Sequence, residues 1–486
     1  MGRQSVADSR RDGVFSHYDH GPFFCEMFGR RGLSHTRLIR RRLDELDIPT
    51  LRRRARDAAR ELFNLGITFT VYSEREAIDR ILPFDLIPRV LSKADWATIE
   101  SGVQQRVTAI NLFLHDVYHG EKIIRDKVVP EELVKGNANY RPEMRNVDPP
   151  HGTYVHICGT DIVRDETGRF RVLEDNARTP SGVSYVIENR HLMMRAFADL
   201  ANGIPIADVD QYGSQLARTM ADVAPVGVDQ PTIALLSPGV FNSAYFEHVF
   251  LAREMGAVLV EGQDLVVIDD HVFMKTTGGL EAVHVIYRRI DDDFLDPKVF
   301  RADSLLGVPG LFEAYRKGHV TLANAIGTGV ADDKAIYAYM PRIIRYYLDQ
   351  EPIIANVDTH ICREAEGLAY TLDNLASLVT KPVGESGGYG VVVGPAASRR
   401  ELADLRAKLR RKPENFISQP VVQLSVSPTF TGRAVEPRHV DLRPFALTGR
   451  KTWVLPGGLS RVAMRRGSLI VNSSQGGGSK DTWVLA

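Results

Sequence analysis

Apolar residues recur at helical spacing through the first third of the chain. Between positions 93 and 119 they follow Ser92, a residue type that caps helices, and they fall at Trp96, Ile99, Val103, Val107, Ile110 and Phe113. Residues 36–65 are rich in Arg and Leu, and Pro49 interrupts them. The pattern predicts a mostly helical scaffold over residues 21–145, and the polar residues 1–20 are expected to be disordered.

The periodicity changes near residue 150, where Asp148, Pro149 and Pro150 end the preceding segment. Two β runs at 153–158 and 169–173 flank a turn at 164–168, which predicts a hairpin followed by a helix over 185–201. Short strands alternate with helices over 229–330 and predict a small α/β domain with a partly parallel sheet.

The last third of the chain combines both periodicities. It predicts helices at 333–349, 371–376 and 398–411, strands on both sides of a glycine-rich loop, and a strand at 416–419. Residues 438–443, 452–455 and 468–472 alternate and predict antiparallel strands, whereas residues 476–480, which begin with three glycines, predict a flexible C-terminal turn.

Charge and cysteine content narrow the class of protein. The 486 residues hold 61 Lys and Arg and 61 Asp and Glu, so the formal net charge is 0. This balance argues against nucleic acid or a membrane surface as the main partner. Cys25, Cys158 and Cys362 are too few and too far apart to predict a disulfide framework or a cysteine zinc site. The start lacks the apolar core of a signal peptide, so we expect a cytoplasmic protein.

The glycine-rich loop is the sharpest candidate for chemistry. A strand ends at Lys381 and Pro382, and the loop then contains Ser386, Gly387, Gly388, Tyr389 and Gly390 before a second strand begins. Glycines let backbone N–H groups approach phosphate oxygens, and a nearby lysine neutralises their charge. The order fits neither the P-loop nor the Rossmann fingerprint. A phosphate-covering hairpin and an ordinary glycine-rich turn both remain open.

Oxygen donors on the predicted hairpin suggest a metal site. Asp161 lies on one strand, and Glu174 and Asn176 lie two residues apart on the other, so the latter two share a face. Carboxylate and amide oxygens suit Mg²⁺, which also takes phosphate oxygens and water. A solvated sheet face is the alternative.

Further charges could support phosphate chemistry. Lys334, Arg443 and Arg461 are candidate cations. Arg288 and Arg289 precede a run of aspartates, which is either a substrate clamp or an acidic turn. His156 and His439 lack metal-ligand spacing, and we interpret both as structural.

In combination these segments resemble the ATP-grasp superfamily in its circularly permuted form, because the metal set precedes Lys381 by about two hundred residues. The closest resemblance is to the circularly permuted ATP-grasp type 2 family, bacterial proteins often labelled glutathionylspermidine synthases. The resembling stretches are 63–69, 83–89, 158–161, 173–182, 287–291 and 472–483.

The resemblance implies a fold and a domain order. It implies an α/β protein whose ATP site lies between two α+β lobes, with a small α/β substrate domain ahead of the central lobe. One lobe is expected over 331–430 and the other over 146–225 together with 431–486. The domain at 229–330 is expected to form the acceptor side.

The resemblance also implies roles for individual residues. Lys334 and Lys381 resemble the two nucleotide lysines, residues 386–390 the loop over the phosphates, and Gln419 with Val421 the hinge that binds adenine. Arg443 and Arg461 resemble the arginines that steady the γ-phosphate and an acyl phosphate, with Arg288 as a further catalytic candidate. The substrate pocket is expected to hold Asn242, Tyr245, Glu247 and Arg289, and the metal ligands are Asp161, Glu174 and Asn176.

The implied activity is ATP-dependent ligation of a carboxylate to an amine with Mg²⁺, through an acyl phosphate and with release of ADP and phosphate. The substrates would be small molecules or peptides, with possible protein partners in a peptide-modification system. Three alternatives remain: an idle ATP-binding scaffold, a kinase, and a glutathionylspermidine synthase in the narrow sense. Arg178 stands where those synthases carry an acidic residue, so the resemblance does not extend to a polyamine substrate.

Overall fold

The computed structural model describes residues 13–29, 34–72, 77–384, 390–472 and 475–485. Within them no helix is long and apolar enough to cross a membrane.

The N-terminal region combines helices with strands. Its elements are α1 (Ser34–Asp44), α2 (Ile48–Asn64), β1 (Thr68–Tyr72), β2 (Ala77–Ile81), β3 (Phe84–Leu91), α3 (Lys93–Tyr118), α4 (Lys122–Arg125) and α5 (Glu131–Val134). Ser92 caps α3 as predicted, because its hydroxyl accepts a hydrogen bond from the Asp95 N–H at 3.0 Å. The expectation of a mostly helical region missed β3, which lies in the largest sheet of the molecule.

Residues 13–20 are ordered, so the expectation of disorder over 1–20 is wrong for this part. Val14 and Phe15 are buried in a core cluster with α1 and α2, and the Phe15 N–H donates to Asp44 at 3.0 Å. Residues 1–12 lie outside the described residues.

The predicted hairpin is present and is followed by helices. The elements are β4 (Ile157–Arg164), β5 (Phe170–Asn176), α6 (Val183–Ala196), α7 (Ala198–Ala201) and α8 (Tyr212–Asp222). β4 and β5 pair in antiparallel register, which confirms the predicted hairpin.

Residues 233–323 form the expected small α/β unit. It contains β6 (Ile233–Leu236), α9 (Tyr245–Met255), β7 (Val258–Val260), β8 (Leu265–Ile268), β9 (His271–Thr276), β10 (Gly279–Ala282), β11 (Val285–Arg288), α10 (Asp292–Leu295), α11 (Leu311–Arg316) and β12 (Thr321–Ala323). A parallel sheet runs in the order β12-β11-β6-β7, and an antiparallel sheet runs β10-β9-β8. The strands of the parallel sheet are largely buried, as is usual for this arrangement.

The central lobe contains α12 (Lys334–Leu348), β13 (Ala355–Asn356), β14 (His360–Ile361), α13 (Ala365–Asn374), β15 (Leu378–Pro382), β16 (Val392–Val393), α14 (Arg399–Arg411) and β17 (Phe416–Pro420). Its antiparallel sheet has the order β14-β17-β15-β16. The Asp333 carboxylate caps α12 by accepting the Ala335 N–H at 2.7 Å.

The C-terminal strands complete the largest sheet. They are β18 (Val426–Phe430), β19 (Val435–Thr448), β20 (Thr452–Val462) and β21 (Gly478–Val484). The order is β13-β5-β4-β19-β20-β21-β3, and β18 pairs with β19. Because β18 joins this sheet, the central lobe ends near residue 420 rather than at the predicted 430.

One C-terminal prediction was wrong, and a second was wrong in part. Residues 468–472 form no strand. Val471 instead packs against the glycine segment, and its carbonyl oxygen would lie 1.9 Å from a Cβ at Gly477. Of the segment expected to be a flexible turn, Gly476 does lie in a turn, but the residues from Gly478 onward belong to β21, which pairs with β20 and with β3. Lys480 is fully buried there, in an ion pair with Asp85.

Candidate active site

A row of charged side chains crosses four neighbouring strands of the largest sheet. Glu174 lies on β5, Asp161 on β4, Asp441 and Arg443 on β19, and Arg461 on β20. Asp161 is the register partner of Glu174, and a β-bulge follows immediately in this ladder. Asp441 and Arg461 are directly opposed across their ladder. The pairing therefore brings together residues that are up to 300 positions apart, from Asp161 to Arg461.

Two arginines hold the Asp161 carboxylate. The Arg443 Nε donates to Oδ1 at 2.5 Å and its Nη2 to Oδ2 at 2.8 Å, while the Arg461 Nη2 donates to Oδ2 at 2.6 Å. Burial alone would raise the pKa of Asp161, but the two guanidinium groups outweigh it and hold this pKa well below its ordinary range. Gly159 makes room for this contact, since a Cβ there would lie 3.1 Å from Arg443 Cδ.

Asp441 is a site residue that the sequence analysis missed. Its carboxylate accepts hydrogen bonds from Arg461, with the Nε atom 3.0 Å from each oxygen. Burial raises the pKa of Asp441, and the adjacent Arg461 only partly offsets this effect. Asp441 lies two residues before Arg443 on a strand with alternating polarity, so the shared face was a signal that could have found it.

Lys334 and Lys381 approach the row from the central lobe. Lys334 opens α12, and its Nζ lies 3.3 Å from the Glu174 Oε2. Lys381 lies on β15, and among the described residues no side chain hydrogen-bonds or ion-pairs with its Nζ. Burial lowers the pKa of Lys381; Glu174 opposes this shift and Lys334 adds to it. An anion placed here would raise the pKa of Lys381 again.

A cleft between the central lobe and the largest sheet is lined by the two lysines and by four residues of the row, Asp161, Glu174, Asp441 and Arg461. It holds about 1130 Å³ of empty space, open solvent at its mouth included. One end is charged, and the other is apolar. The apolar and hinge-side lining consists of Leu173, Val379, Pro382, Val391, Val393, Pro420, Val422, Leu424, Leu469, Ile470 and Val471, with Gln419, Asn472 and Gln475 as further polar groups.

The predicted hinge residues lie at the apolar end. Gln419 is buried, and its side-chain amide donates to the Thr359 hydroxyl at 2.9 Å. Val422 lines the cleft, while the predicted Val421 is its half-buried neighbour. The loop residues Ser386, Gly387, Gly388 and Tyr389 lie outside the described residues, and Gly390 has a φ of 70°.

The predicted magnesium ligands differ in their surroundings. Glu174 and Asn176 share a face of β5, and the Asn176 side-chain nitrogen donates to the Gly159 carbonyl at 3.1 Å, which orients the amide. Their oxygens are the donors that Mg²⁺ prefers, so this pair fits the ion. Asp161, by contrast, gives both oxygens to arginines.

A small second cavity adjoins the charged end of the cleft. Glu174 and Lys334 line both spaces, and Asn139, Asn176, Arg178 and Asp332 also line the second. The Arg178 Nε donates to Asp332 at 2.8 Å, and the Ala177 N–H donates to the same carboxylate at 2.5 Å. Arg178 thus secures the chain directly after β5 to the residue that precedes the cap of α12.

The four predicted substrate residues do not form one pocket wall. Glu247 is buried and accepts hydrogen bonds from the Gly182 and Ser184 N–H groups at 2.7 and 3.1 Å, so it caps the start of α6. Arg289 is also buried and donates to the Pro180 carbonyl at 2.7 Å and to the Ser181 hydroxyl. Both residues brace the segment that links β5 to α6.

Asn242 and Tyr245 lie at the start of α9 and are only partly buried. The Asn242 side-chain oxygen accepts the Ala244 N–H at 2.9 Å, which shapes the turn into the helix. The Tyr245 ring meets His248 edge to face. Their role in substrate binding stays a prediction.

The prediction of Arg288 as a catalytic residue is not supported by its contacts. Its side chain is 1% exposed and donates to the carbonyls of Ile290, Asn324 and Ala325 at 2.7–2.8 Å, and it pairs with Asp292 at 2.7 Å. These contacts use all its nitrogens, so we assign Arg288 to the stability of the α/β unit.

This geometry can bind a polyanion. Lys334, Lys381 and Arg461 line one end of a cleft whose other end is apolar, and Arg443 lies beside Arg461 on the Asp161 carboxylate. Asp161 and Asp441 accept hydrogen bonds from the two arginines and offset their charge. Ser, Thr, Cys, Tyr and His are absent from the described residues that line this cleft. Its lysines, Arg461 and carboxylates can position a ligand and stabilise charge.

Comparison with known proteins agrees with this geometry. Residues 88–463 match the model of the family described as circularly permuted ATP-grasp type 2. The chain is 51% identical over 471 residues to an uncharacterised protein of Synechocystis sp., covering 96% of this chain and 98% of the relative.

Two further similarities extend the comparison. A Frankia casuarinae protein that is named, provisionally, glutamate–cysteine ligase 2-2 is 41% identical over 450 residues, which cover 92% of this chain but only 52% of that protein. The structure of a glutathione synthetase-like effector from Globodera pallida, in its apo form, superposes with a TM-score of 0.59 over 90% of this chain and 98% of that chain. At 9% identity this likeness concerns the fold alone.

Proposed function

Because this chain belongs to the circularly permuted ATP-grasp type 2 family, we propose that it is an ATP-dependent ligase that joins a carboxylate to an amine. The observation that carries the proposal is the cleft in which Lys334, Lys381 and Arg461 face Glu174 beside an apolar chamber. The remaining steps follow from the chemistry of these side chains.

The nucleotide would lie along the cleft. The adenine fits the apolar end beside Gln419 and Val422, and the phosphates fit the end where the cations converge. Lys381 supplies a positive charge that no described side chain neutralises by a direct contact. Residues 386–390 would cover the phosphates, which is the role that the family resemblance implies for this loop.

Glu174 and Asn176 would hold Mg²⁺ against the phosphate oxygens. A bound Mg²⁺ ion supplies charge neutralisation on the transferred phosphoryl group. Asp161 can offer all its lone pairs to the Mg²⁺ ion only when its arginines turn to the phosphates, because Oδ1 accepts one arginine hydrogen bond and Oδ2 accepts two. We therefore expect Mg²⁺ and nucleotide to bind together.

A carboxylate is a poor acyl donor, since its leaving group would be oxide. Transfer of the γ-phosphoryl group to the carboxylate oxygen gives an acyl phosphate and ADP. Arg443 and Arg461 stabilise the charge that develops on the phosphoryl oxygens. The amine then attacks the acyl carbon, the C–O bond to phosphate breaks, and the amine loses a proton.

We propose only the chemical class of the substrates. The provisional name of the Frankia relative points to an amino acid donor with a free carboxylate and an amino acid acceptor. The same chemistry would apply to a larger substrate, namely a protein partner that presents a peptide terminus.

The experiment supplies pools of amino acids, short peptides and polyamines with ATP and Mg²⁺, and measures ADP, AMP, phosphate and hydroxamate. The expected result is ADP and phosphate that depend on an acid, with a hydroxamate when hydroxylamine replaces the amine. AMP and pyrophosphate would overturn this ligase mechanism. A stable phosphorylated product would instead indicate a kinase, and nucleotide binding without turnover in every pool would indicate a scaffold.

A further inference from the structure

Two histidines and an aspartate meet at the end of α3, on residues that the proposed ligase mechanism does not use. His115 and His119 are four residues apart, so they lie on one face of the helix, and Asp148 comes from the loop before β4. One ligand atom from each of the three side chains lies within 4.8 Å of the others.

The hydrogen bond on the far side of His119 determines which nitrogen faces the cluster as an acceptor. The His119 Nδ1 lies 2.9 Å from the His115 carbonyl oxygen. A carbonyl only accepts, so Nδ1 carries the hydrogen and the lone pair of the neutral ring is on Nε2. This arrangement is the one that metal-binding histidines use to orient the ring.

The His119 Nε2 then faces another acceptor. It lies 3.0 Å from the Asp148 Oδ1, and the His115 Nε2 lies 3.6 Å from the same oxygen. The Nε2 of His119 is buried, and no hydrogen bond of acceptable geometry satisfies it among the described residues. Two lone pairs at this distance repel each other unless a cation lies between them.

A proton is the weaker explanation for this arrangement. A protonated Nε2 would point its hydrogen at the carboxylate, yet this contact lacks hydrogen-bond geometry. The two imidazole rings are also stacked, with centroids 4.3 Å apart and an interplanar angle of 4°, and two imidazolium cations would repel in that position. A metal ion off the line between the His119 Nε2 and the Asp148 oxygen removes the first difficulty. Two parallel rings cannot both direct a lone pair at one ion, so the half-exposed His115 ring would have to turn out of the stack when metal binds, while the His115 carbonyl keeps His119 in place.

We propose that His115, His119 and Asp148 bind a divalent transition-metal ion, with Zn²⁺ as the best match. Zinc takes imidazole nitrogen and carboxylate oxygen at about 2.0–2.2 Å, so a tetrahedral site separates its ligand atoms by roughly 3.3 Å. The observed separations of 3.0 and 3.6 Å bracket this value. Asp148 and His115 are exposed, which leaves the fourth position to water.

The ion would fasten the end of α3 to the segment that leads into the active-site strand β4. This segment already contacts α3 through the Asn146 N–H, which donates to the Tyr118 carbonyl at 2.9 Å, and through Asn111, which accepts the Tyr154 N–H at 2.8 Å. Pro149 restricts the backbone of Asp148 to extended conformations. The ligands are therefore held close together before metal arrives, and the role we assign to the metal is structural.

The test uses the full chain without a histidine tag, stripped with a chelator and held in excess Mg²⁺ so that the nucleotide site does not take up the probe. Zn²⁺ is titrated by calorimetry, and Co²⁺ is titrated for its visible absorption. The expected result is one equivalent per chain. His119→Gln and Asp148→Asn should each weaken binding by about 10- to 100-fold or more.

A second stacked pair provides the matched control. The His271 and His319 rings are 4.1 Å apart, and their Nδ1 atoms also meet backbone carbonyls, but the neighbouring Asp270 carboxylate pairs with Lys317. The double change His271→Gln with His319→Gln should leave the affinity unchanged. Equal Zn²⁺ affinity in His119→Gln, Asp148→Asn and the unaltered chain would overturn the proposal, as would a failure of the unaltered chain to bind stoichiometrically.

Discussion

Asp441 and Arg461 face each other across β19 and β20, and the Arg461 Nε lies 3.0 Å from both carboxylate oxygens of Asp441. Arg461 also donates to Asp161 at 2.6 Å, so it lies between two carboxylates. With Arg443 the group holds two positive and two negative charges. The pair fixes the direction in which Arg461 presents its remaining donors to the cleft.

Asp441→Asn should separate binding from turnover. The change gives this group a net charge of +1, so ATP affinity should hold or increase, while the freed arginine loses its fixed orientation. We expect kcat for acid-dependent ADP release to fall by about 10- to 100-fold, with a smaller change in the KM for ATP. Steady-state kinetics measures this split.

Asp303→Asn is the control for Asp441→Asn, because Asp303 pairs with Arg301 at an exposed position. A tenfold rise in the KM for ATP with unchanged kcat would contradict a positioning role for Asp441.

Glu174→Gln should abolish the Mg²⁺-dependent part of nucleotide binding. Glu174 is partly exposed and contacts Lys334 at 3.3 Å, so its loss should cost little folding stability. An amide is a far weaker magnesium ligand than a carboxylate. Thermal shift with ATP should become insensitive to Mg²⁺, and ADP release should fall by at least about 100-fold.

Glu166→Gln on the exposed turn of the same hairpin is the matched control for Glu174→Gln. Full turnover by Glu174→Gln would assign this residue to the sheet surface rather than to the metal.

The sequence predicted the parts of this site that depend on local periodicity. Glu174 and Asn176 share a face because side chains alternate along any strand, and the hairpin that pairs Glu174 with Asp161 is short. Asp441 was missed because its pairing with Arg461 depends on the register of β19 against β20. Alternation shows which face a residue lies on, but not which residue stands opposite.

Long-range pairing also explains the misjudged C-terminus. A run of glycines ordinarily indicates a turn, yet the residues after it enter the largest sheet between β20 and the edge strand β3. Lys480 pairs with Asp85, which is 395 positions away. Local composition cannot reveal such a partner, whereas a buried lysine requires one.

The contribution of the buried Asp85–Lys480 pair to folding stability can be tested by mutation. Both side chains are fully buried, and Lys480 also donates to the carbonyls of Ile87 and Pro428 at 3.1 and 2.7 Å. Removing one partner leaves a buried charge, so Asp85→Ala should lower the free energy of unfolding by about 3–5 kcal/mol. Urea denaturation measures it.

The double change Asp85→Leu with Lys480→Met should recover much of the loss from Asp85→Ala, since apolar side chains can replace a buried ion pair. A loss below about 1 kcal/mol for Asp85→Ala would mean that the charges contribute little to the fold.

Lys381 should make the affinity for nucleotide decrease at alkaline pH. Burial lowers the pKa of this lysine in the free protein, and Lys334 adds to the shift. Phosphate binds the charged form and raises the pKa again. Affinity for ATP should therefore be constant below the lowered pKa and fall as pH rises through it, towards the ordinary lysine value of about 10.4.

Folding stability should respond to the same group with the opposite sign. Between the lowered pKa and the ordinary one, the unfolded chain binds more protons at this lysine than the folded chain does. The contribution of Lys381 to stability therefore rises with pH across this window. The apo protein should gain stability from this group over the same range in which the stabilisation by ATP declines.

Lys381→Arg and Lys381→Met distinguish this group from other lysines. Arginine stays charged, so the stabilisation of Lys381→Arg by ATP should no longer decline at alkaline pH. The Lys381→Met variant should lose most of the stabilisation by ATP at every pH, and its apo melting temperature should not decrease. A ligand at 100 times its dissociation constant stabilises the folded state by about 2.7 kcal/mol, which is the size of signal at stake. If the stabilisation by ATP still declines at alkaline pH in Lys381→Arg, the titrating group is another residue. Lys334 would be examined first because it lines the same cleft.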